Sequence, residues 1–285
     1  MTHFSSDGAA FPGYSVQSVE HNNRGLFEHV AGRLDEAARE YTSAIELDPS
    51  NAAALSNYGF LLSQQGRHAD ALPWYERAIA AQPDYALAHN NKGNSLLALG
   101  DYQGAIAAYR EALEHDPTHR SALLNLAQAL HVTGDLPGAA AAYDNVVQSD
   151  PNNPEALFPA AVLAAATGNL TRAAELLQRL LFLAPTHAEG WATLGFVCLA
   201  RRDYASAIEH CKRAVELAPT NPRAHYNLAL GLLAIGNMQS AEEHLAAAVD
   251  SGPEFEEAAR ALDAVRQASG KAVLTSGGVL SQHQT

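Results

Sequence analysis

The chain has 285 residues, and its 18 Lys and Arg stand against 31 Asp and Glu for a formal net charge of −13. That balance argues against a phosphate-tracking surface, since nucleic acids and anionic membranes are held through basic patches. No run of about 18 apolar residues is present to cross a bilayer, so partners among nucleic acids and insertion into a membrane are both set aside.

In chain order, residues 1–17 mix Ser, Gly, Pro and His without periodicity and are expected to form a flexible N-terminal segment. They lack the basic and apolar regions of a secretory signal, so the expected compartment is the cytoplasm. From residue 18 the chain changes character. Pro49, Pro83, Pro117, Pro151, Pro185, Pro219 and Pro253 each follow the previous one by 34 residues. This spacing defines seven repeats, 18–51, 52–85, 86–119, 120–153, 154–187, 188–221 and 222–255.

With the proline at position 32 of each repeat, position 20 is always Ala, from Ala37 to Ala241. Position 8 is always Gly or Ala, and position 15 is Gly except for Arg202. Small residues at fixed places let two helices cross closely, and the turn glycine supplies positive φ. Each repeat is therefore predicted as helix A, a glycine turn and helix B, with large residues such as Tyr41, Tyr75 and Tyr109 at position 24 filling the core. Position 33 offers N-caps for the next helix A at Ser50, Asp84, Thr118, Asn152, Thr186, Thr220 and Glu254. Asn152 with Glu155, and Thr186 with Glu189, read as capping boxes. Helix B is expected to start behind Asp101, Asp135, Asn169, Asp203 and Asn237. Pro159 falls inside helix A of repeat 5, where a kink is expected. Cys198 and Cys211 occupy core positions of repeat 6 and read as buried thiols. Residues 254–269 form a capping helix with Asp263 and Arg266 where a further hairpin would have to pack, and 270–285 read as a flexible tail.

These columns closely resemble the tetratricopeptide repeat family over about Ser18 to Pro253. The resemblance implies an all-α, right-handed superhelical solenoid of antiparallel hairpins whose A helices line a concave groove. Groove position 6 then reads Asn23, Asn57, Asn91, Asn125, Pro159, Thr193 and Asn227. A row of carboxamides offers donors and acceptors to an extended backbone irrespective of its sequence. It is similar to the asparagine ladder of O-linked N-acetylglucosamine transferases, without their catalytic domain. The neighbouring groove positions are amide-rich in repeats 1–4, with Asn22, Asn90, Asn94 and Gln128. In repeats 5–7 they are apolar, with Phe158, Val162, Phe196, Leu199, Tyr226, Leu230 and Leu233. The basic residues of a carboxylate clamp are missing, since the clamp-like positions hold Asn22, Leu26, Asn57, Leu87 and Asn91.

No phosphate-cradling loop with Lys, Gly-x-Ser-x-Gly elbow, His-Glu-x-x-His or Cys-x-x-Cys occurs, so no catalytic residue, metal or cofactor is expected. His115 and His119 straddle Pro117 and cannot share a helical face, and His21, His89 and His225 at position 4 read as packing residues. The expected function is a non-catalytic interaction scaffold or adaptor that holds an extended segment of a partner protein. The rival readings are a structural protein that assembles with itself through tail or groove, and a regulatory subunit that delivers clients to a separate enzyme.

Overall fold

A computed structural model describes residues 15–270, so most of the predicted N-terminal segment and tail lie outside the described residues. Among these there are fifteen helices and no strand. The A helices are α1 (Val16–Val30), α3 (Ala52–Gln64), α5 (Ala86–Ala98), α7 (Arg120–Val132), α9 (Pro154–Ala166), α11 (Ala188–Ala200) and α13 (Pro222–Ala234). The B helices are α2 (Leu34–Leu47), α4 (His68–Ala81), α6 (Tyr102–His115), α8 (Leu136–Ser149), α10 (Leu170–Leu183), α12 (Tyr204–Leu217) and α14 (Met238–Ser251), and α15 (Glu256–Ala268) follows. The fold is an all-α helical repeat solenoid. It divides into two compact bodies, one ending at Pro151 and the other starting at Asn152. Within each body every helix packs on the next, and successive A helices also touch, α1 with α3, α3 with α5 and α5 with α7 in the first, α9 with α11 and α11 with α13 in the second.

The hairpin core rests on the pairing of positions 8 and 24. Tyr41, Tyr75 and Tyr109 are wholly buried under Gly25, Gly59 and Gly93. A Cβ at Gly93 would lie 2.5 Å from the Tyr109 ring, so in repeat 3 the glycine gives the ring its place, whereas repeat 4 seats the buried Tyr143 with Ala127 at position 8. Repeats 5 and 7 use a smaller filler, Leu177 and Leu245, and tolerate Ala161 and Ala229 at position 8. In repeat 6, the Cys211 sulfur occupies the space that a Gly195 side chain would need. Fully burying one such large side chain contributes about 1.5–3 kcal/mol.

Position 15 is the αL residue of a Schellman turn, and its glycines have φ between 76° and 83° in repeats 1–5 and 7. Arg202 adopts the same region at φ 61°, the one non-glycine to do so among the described residues. The turn is intact there: Asp203 N–H donates to Cys198 O at 2.9 Å, as Asp101 N–H does to Leu96 O at 2.9 Å.

Several local expectations need correction. The N-cap of helix A is position 34, one residue later than read from sequence: Asn51, His119, Asn153, His187 and Asn221 accept from amides in the first turn of the helix. Ser50 and Thr118 instead turn back, and their backbone amides and hydroxyls donate to Asp48 and Asp116. The capping boxes read at Asn152 and Thr186 give way to single caps at Asn153 and His187, because the third helical residues are then Ala156 and Gly190, which have no carboxylate to return the bond. Tyr85 and Phe255 hold the N-cap position without a side-chain capping bond. Helix B does start behind its predicted caps: Asp101, Asp135, Asn169, Asp203 and Asn237 each accept from the third amide of their helix. At the N-terminus, α1 begins two residues before the first repeat, at Val16, while Pro159 lies inside α9 where the sequence placed it. The last helix starts at Glu256 rather than 254 and buries Ala258, Leu262 and Val265, while Arg266 pairs with Glu242 at 3.3 Å.

Candidate functional site: the faces of the A helices

Because the A helices touch in sequence within each body, positions 5, 6, 9 and 12 meet across neighbouring repeats. In the first body that meeting is polar. Asn57 Nδ2 donates to Asn22 Oδ1 at 2.9 Å, and Asn125 Nδ2 donates to Asn90 Oδ1 at 3.0 Å and Asn94 Oδ1 at 2.8 Å. Asn94 also accepts from the Tyr109 hydroxyl at 2.9 Å. His29 Nε2 donates to Gln64 Oε1 at 2.6 Å, and the Ser63 and Ser95 hydroxyls bond at 2.7 Å. Deeper in the stack, Asn51 donates to Ser18 Oγ, which donates to Ala44 O.

The predicted row of carboxamides is thus a seam between repeats. Asn91 is buried and accepts only a long 3.4 Å contact from Asn90. Asn57 and Asn125 are half-buried donors, whereas Asn23, Asn94 and Gln128 are exposed. Each carboxamide has two N–H groups and a carbonyl with two lone pairs, so the bonds across the seam fix the side chains while the Asn57 and Asn125 carbonyls and one Asn57 N–H keep further capacity.

The second body meets differently. Asn227 Nδ2 donates to the Ala192 carbonyl at 3.2 Å, Thr193 bonds back to Glu189 O within its own helix, and Pro159 has no donor. The remaining positions are apolar: Phe158, Val162, Leu199, Tyr226, Leu230 and Leu233 are half-buried, and Phe196 is 46% exposed. Phe158 lies against His187 with ring centres 4.8 Å apart, and Tyr226 meets Phe255 edge-on at 5.0 Å.

A second column was only half visible in sequence. Position 4 carries a ring nitrogen that donates to the carbonyl of the preceding position 32 proline: His89 Nε2 to Pro83 O, Trp191 Nε1 to Pro185 O and His225 Nε2 to Pro219 O, each at 2.9 Å. The spacing of six residues from the proline was the available signal. His225 then meets His244, Nδ1 to Nδ1 at 3.0 Å, and burial holds the His244 pKa below its usual value, with the His225 charge adding to that. His89 faces Glu111, at 3.8 Å, and His115, with ring centres 5.3 Å apart. His119 does not join them, since it caps α7 by accepting the Ala122 amide. Cys198 and Cys211 are buried free thiols; burial raises both, Cys211 up to about 12.

No described helix is long and apolar enough to cross a membrane. No curated protein sequence matches the chain. Several solved structures share its fold. YrrB, described as a TPR protein with an unusual peptide-binding site, is 21% identical, with 66% of this chain and 97% of that one aligned at a TM-score of 0.61. MamA from Desulfovibrio magneticus is 21% identical over 60% of this chain and 97% of that one, TM-score 0.55. The C-terminal part of a repeat protein from Cytophaga hutchinsonii is 13% identical over 84% and 98%, TM-score 0.65. Tetratricopeptide repeat models match residues 16–84 and 50–118, 90–154, and 133–195 and 199–268. Together these matches span nearly all of the described residues, and the chain belongs to the tetratricopeptide repeat family, whose members serve as protein–protein interaction scaffolds.

Proposed function

We propose that the chain is a non-catalytic adaptor that holds extended segments of a partner protein on the faces of its A helices. A segment held on the first body would pair its main-chain groups with the amides there, and a segment held on the second would settle its apolar side chains on that face. The observation that carries the proposal is the state of those amides. Asn57 is held by one bond across the seam and Asn125 by two, so the second Asn57 N–H and the carbonyls of both are oriented before any ligand arrives. Orientation in advance reduces the entropy lost on binding. Exposed Asn23, Asn94 and Gln128, with the buried Asn91 in repeat 3 and Asn227 in the second body, complete the polar contacts. Phe158, Phe196, Tyr226 and Leu230 supply the apolar ones. The peptide-binding site described for YrrB supports this use of the fold.

The test must avoid the seam itself, because truncating Asn125 would strand the buried Asn90 carbonyl and unsettle the fold. Random peptides selected against the immobilised full-length chain are measured on two variants, Asn23→Ala with Gln128→Ala, and Phe196→Ser. Loss of two ligand hydrogen bonds should weaken selected peptides about tenfold, close to 1.4 kcal/mol, with the melting curve unchanged. Peptides that bind both variants as tightly as the parent would remove these faces from the account.

A further inference from the structure

We propose that repeat 3 carries a site for one divalent transition-metal ion of the zinc class, ligated by His89 Nδ1, a carboxylate oxygen of Glu111 and a ring nitrogen of His115. The three groups lie on one hairpin: His89 on α5, and Glu111 and His115 four residues apart on one face of α6. One ligand atom from each falls within 4.8 Å of the others. Two imidazoles and a carboxylate are a donor set that suits zinc and leaves a fourth position open.

What separates this cluster from a chance meeting of polar groups is the state of His89. The ring is buried, and its Nε2 is engaged with the Pro83 carbonyl at 2.9 Å. A carbonyl can only accept, so Nε2 carries a proton, and Nδ1 is the ring nitrogen left to face Glu111 on α6. Metal-ligating histidines characteristically show this arrangement, with the second nitrogen donating to a backbone carbonyl. Nδ1 is not tied into a tight contact, since Glu111 stands 3.8 Å away with its side chain largely exposed.

Tetrahedral ligands bonded at about 2.0–2.1 Å lie about 3.3–3.4 Å apart. Closing the site therefore asks for modest movement, most of it in Glu111 and His115, which are both exposed side chains. His225 provides an internal comparison. It shares the proline carbonyl bond, yet its Nδ1 is already met by His244 at 3.0 Å. The same ring in the same column is thus occupied in repeat 7 and available in repeat 3.

The full-length chain is titrated with Zn2+ against a competing chromophoric chelator, and with Co2+ while the visible spectrum is followed. One ion per chain is expected, with the Co2+ complex showing the intense absorption of a four-coordinate site. His115→Ala and Glu111→Gln should each weaken Zn2+ by more than the 10- to 100-fold typical of outer-shell changes. Both residues are exposed, so unaltered circular dichroism separates lost ligation from lost fold. His244→Ala should leave the affinity as it was. Equal Zn2+ binding by the parent and His115→Ala, an equal loss in His244→Ala, or a Co2+ spectrum of six-coordinate character would each overturn the assignment.

Discussion

The two bodies build the same hairpin from different chemistry. In the first, position 24 is tyrosine in all four repeats, three of them under glycine, and successive A helices are linked by carboxamides, hydroxyls and an imidazole. In the second, position 24 is Leu177, Cys211 or Leu245, and the corresponding A-helix positions are largely aliphatic and aromatic. A buried polar seam requires each donor to meet its acceptor, so it favours one register over its neighbours. An apolar seam requires only shape and volume, and it leaves part of its surface available to a ligand. The repeat thus fixes where residues point, while the seam chemistry decides whether a face is committed to its neighbours.

The sharpest way to separate the bodies is alkaline pH. Burial raises the pKa of Tyr41, Tyr75, Tyr109 and Tyr143, with Tyr75 and Tyr143 reaching about 12. In the unfolded chain these phenols titrate near 10. Their contribution is fully present below pH 10. As pH rises further, the unfolded state releases protons that the folded state keeps, so stability falls through about pH 12. Four such groups lie in the first body. In the second, the strongly raised group is Cys211, a thiol at about 12 whose loss begins near pH 9. Several kcal/mol are therefore expected to leave the first body and less to leave the second. Trp74 and Trp191 report on them separately, so fluorescence of Trp191→Phe and Trp74→Phe variants gives one transition each. Coincident transitions would erase the proposed difference.

A smaller effect tests the core pairing directly. Gly93→Ala places a methyl group against the Tyr109 ring, and overpacking of this kind costs about 1–3 kcal/mol. Tyr109→Leu alone loses buried ring area and the hydroxyl bond to Asn94. The pair together reproduces the Ala161 and Leu177 arrangement of repeat 5, so the double variant should be more stable than the two single losses added. Denaturant melts of all four chains yield the coupling. Additive losses would mean that positions 8 and 24 are not a unit, and the contrast between the bodies would then lack its simplest cause.

Much of this architecture is legible in sequence because it depends on invariant, local demands. Proline, alanine and glycine columns fixed the phase of every hairpin, and Asp101 or Asn237 announced the start of helix B through plain capping chemistry. The A-helix caps slipped by one residue because Ser50 and Thr118 are drawn back to Asp48 and Asp116, a competition between two nearby polar groups that residue type alone does not resolve. The asparagine row showed where amides would stand but not what they would meet. Asn22 and Asn57 lie 35 residues apart, and only the lateral stacking of A helices brings them together. His89 was hidden for the same reason. Its partners Glu111 and His115 show helical spacing, yet nothing in the order of residues says which face of α5 they oppose.

The smallest effect concerns the turn of the sixth repeat. Arg202 holds φ 61° where the equivalent positions carry glycine, and its turn keeps the hydrogen bonds of the others. A side chain in that region costs about 1–2 kcal/mol, and glycine gives back about 0.5–1 kcal/mol through the freedom it adds to the unfolded chain. Arg202→Gly should therefore stabilise the second body by about 0.5–1 kcal/mol, read as a rise in the unfolding midpoint reported by Trp191. Gly100→Arg is the mirror experiment and should lower the midpoint reported by Trp74 by a similar amount. Should Arg202→Gly instead lower the midpoint, the guanidinium would have to hold the turn through an interaction stronger than the strain it imposes. The difference between the bodies would then extend from their seams to their turns.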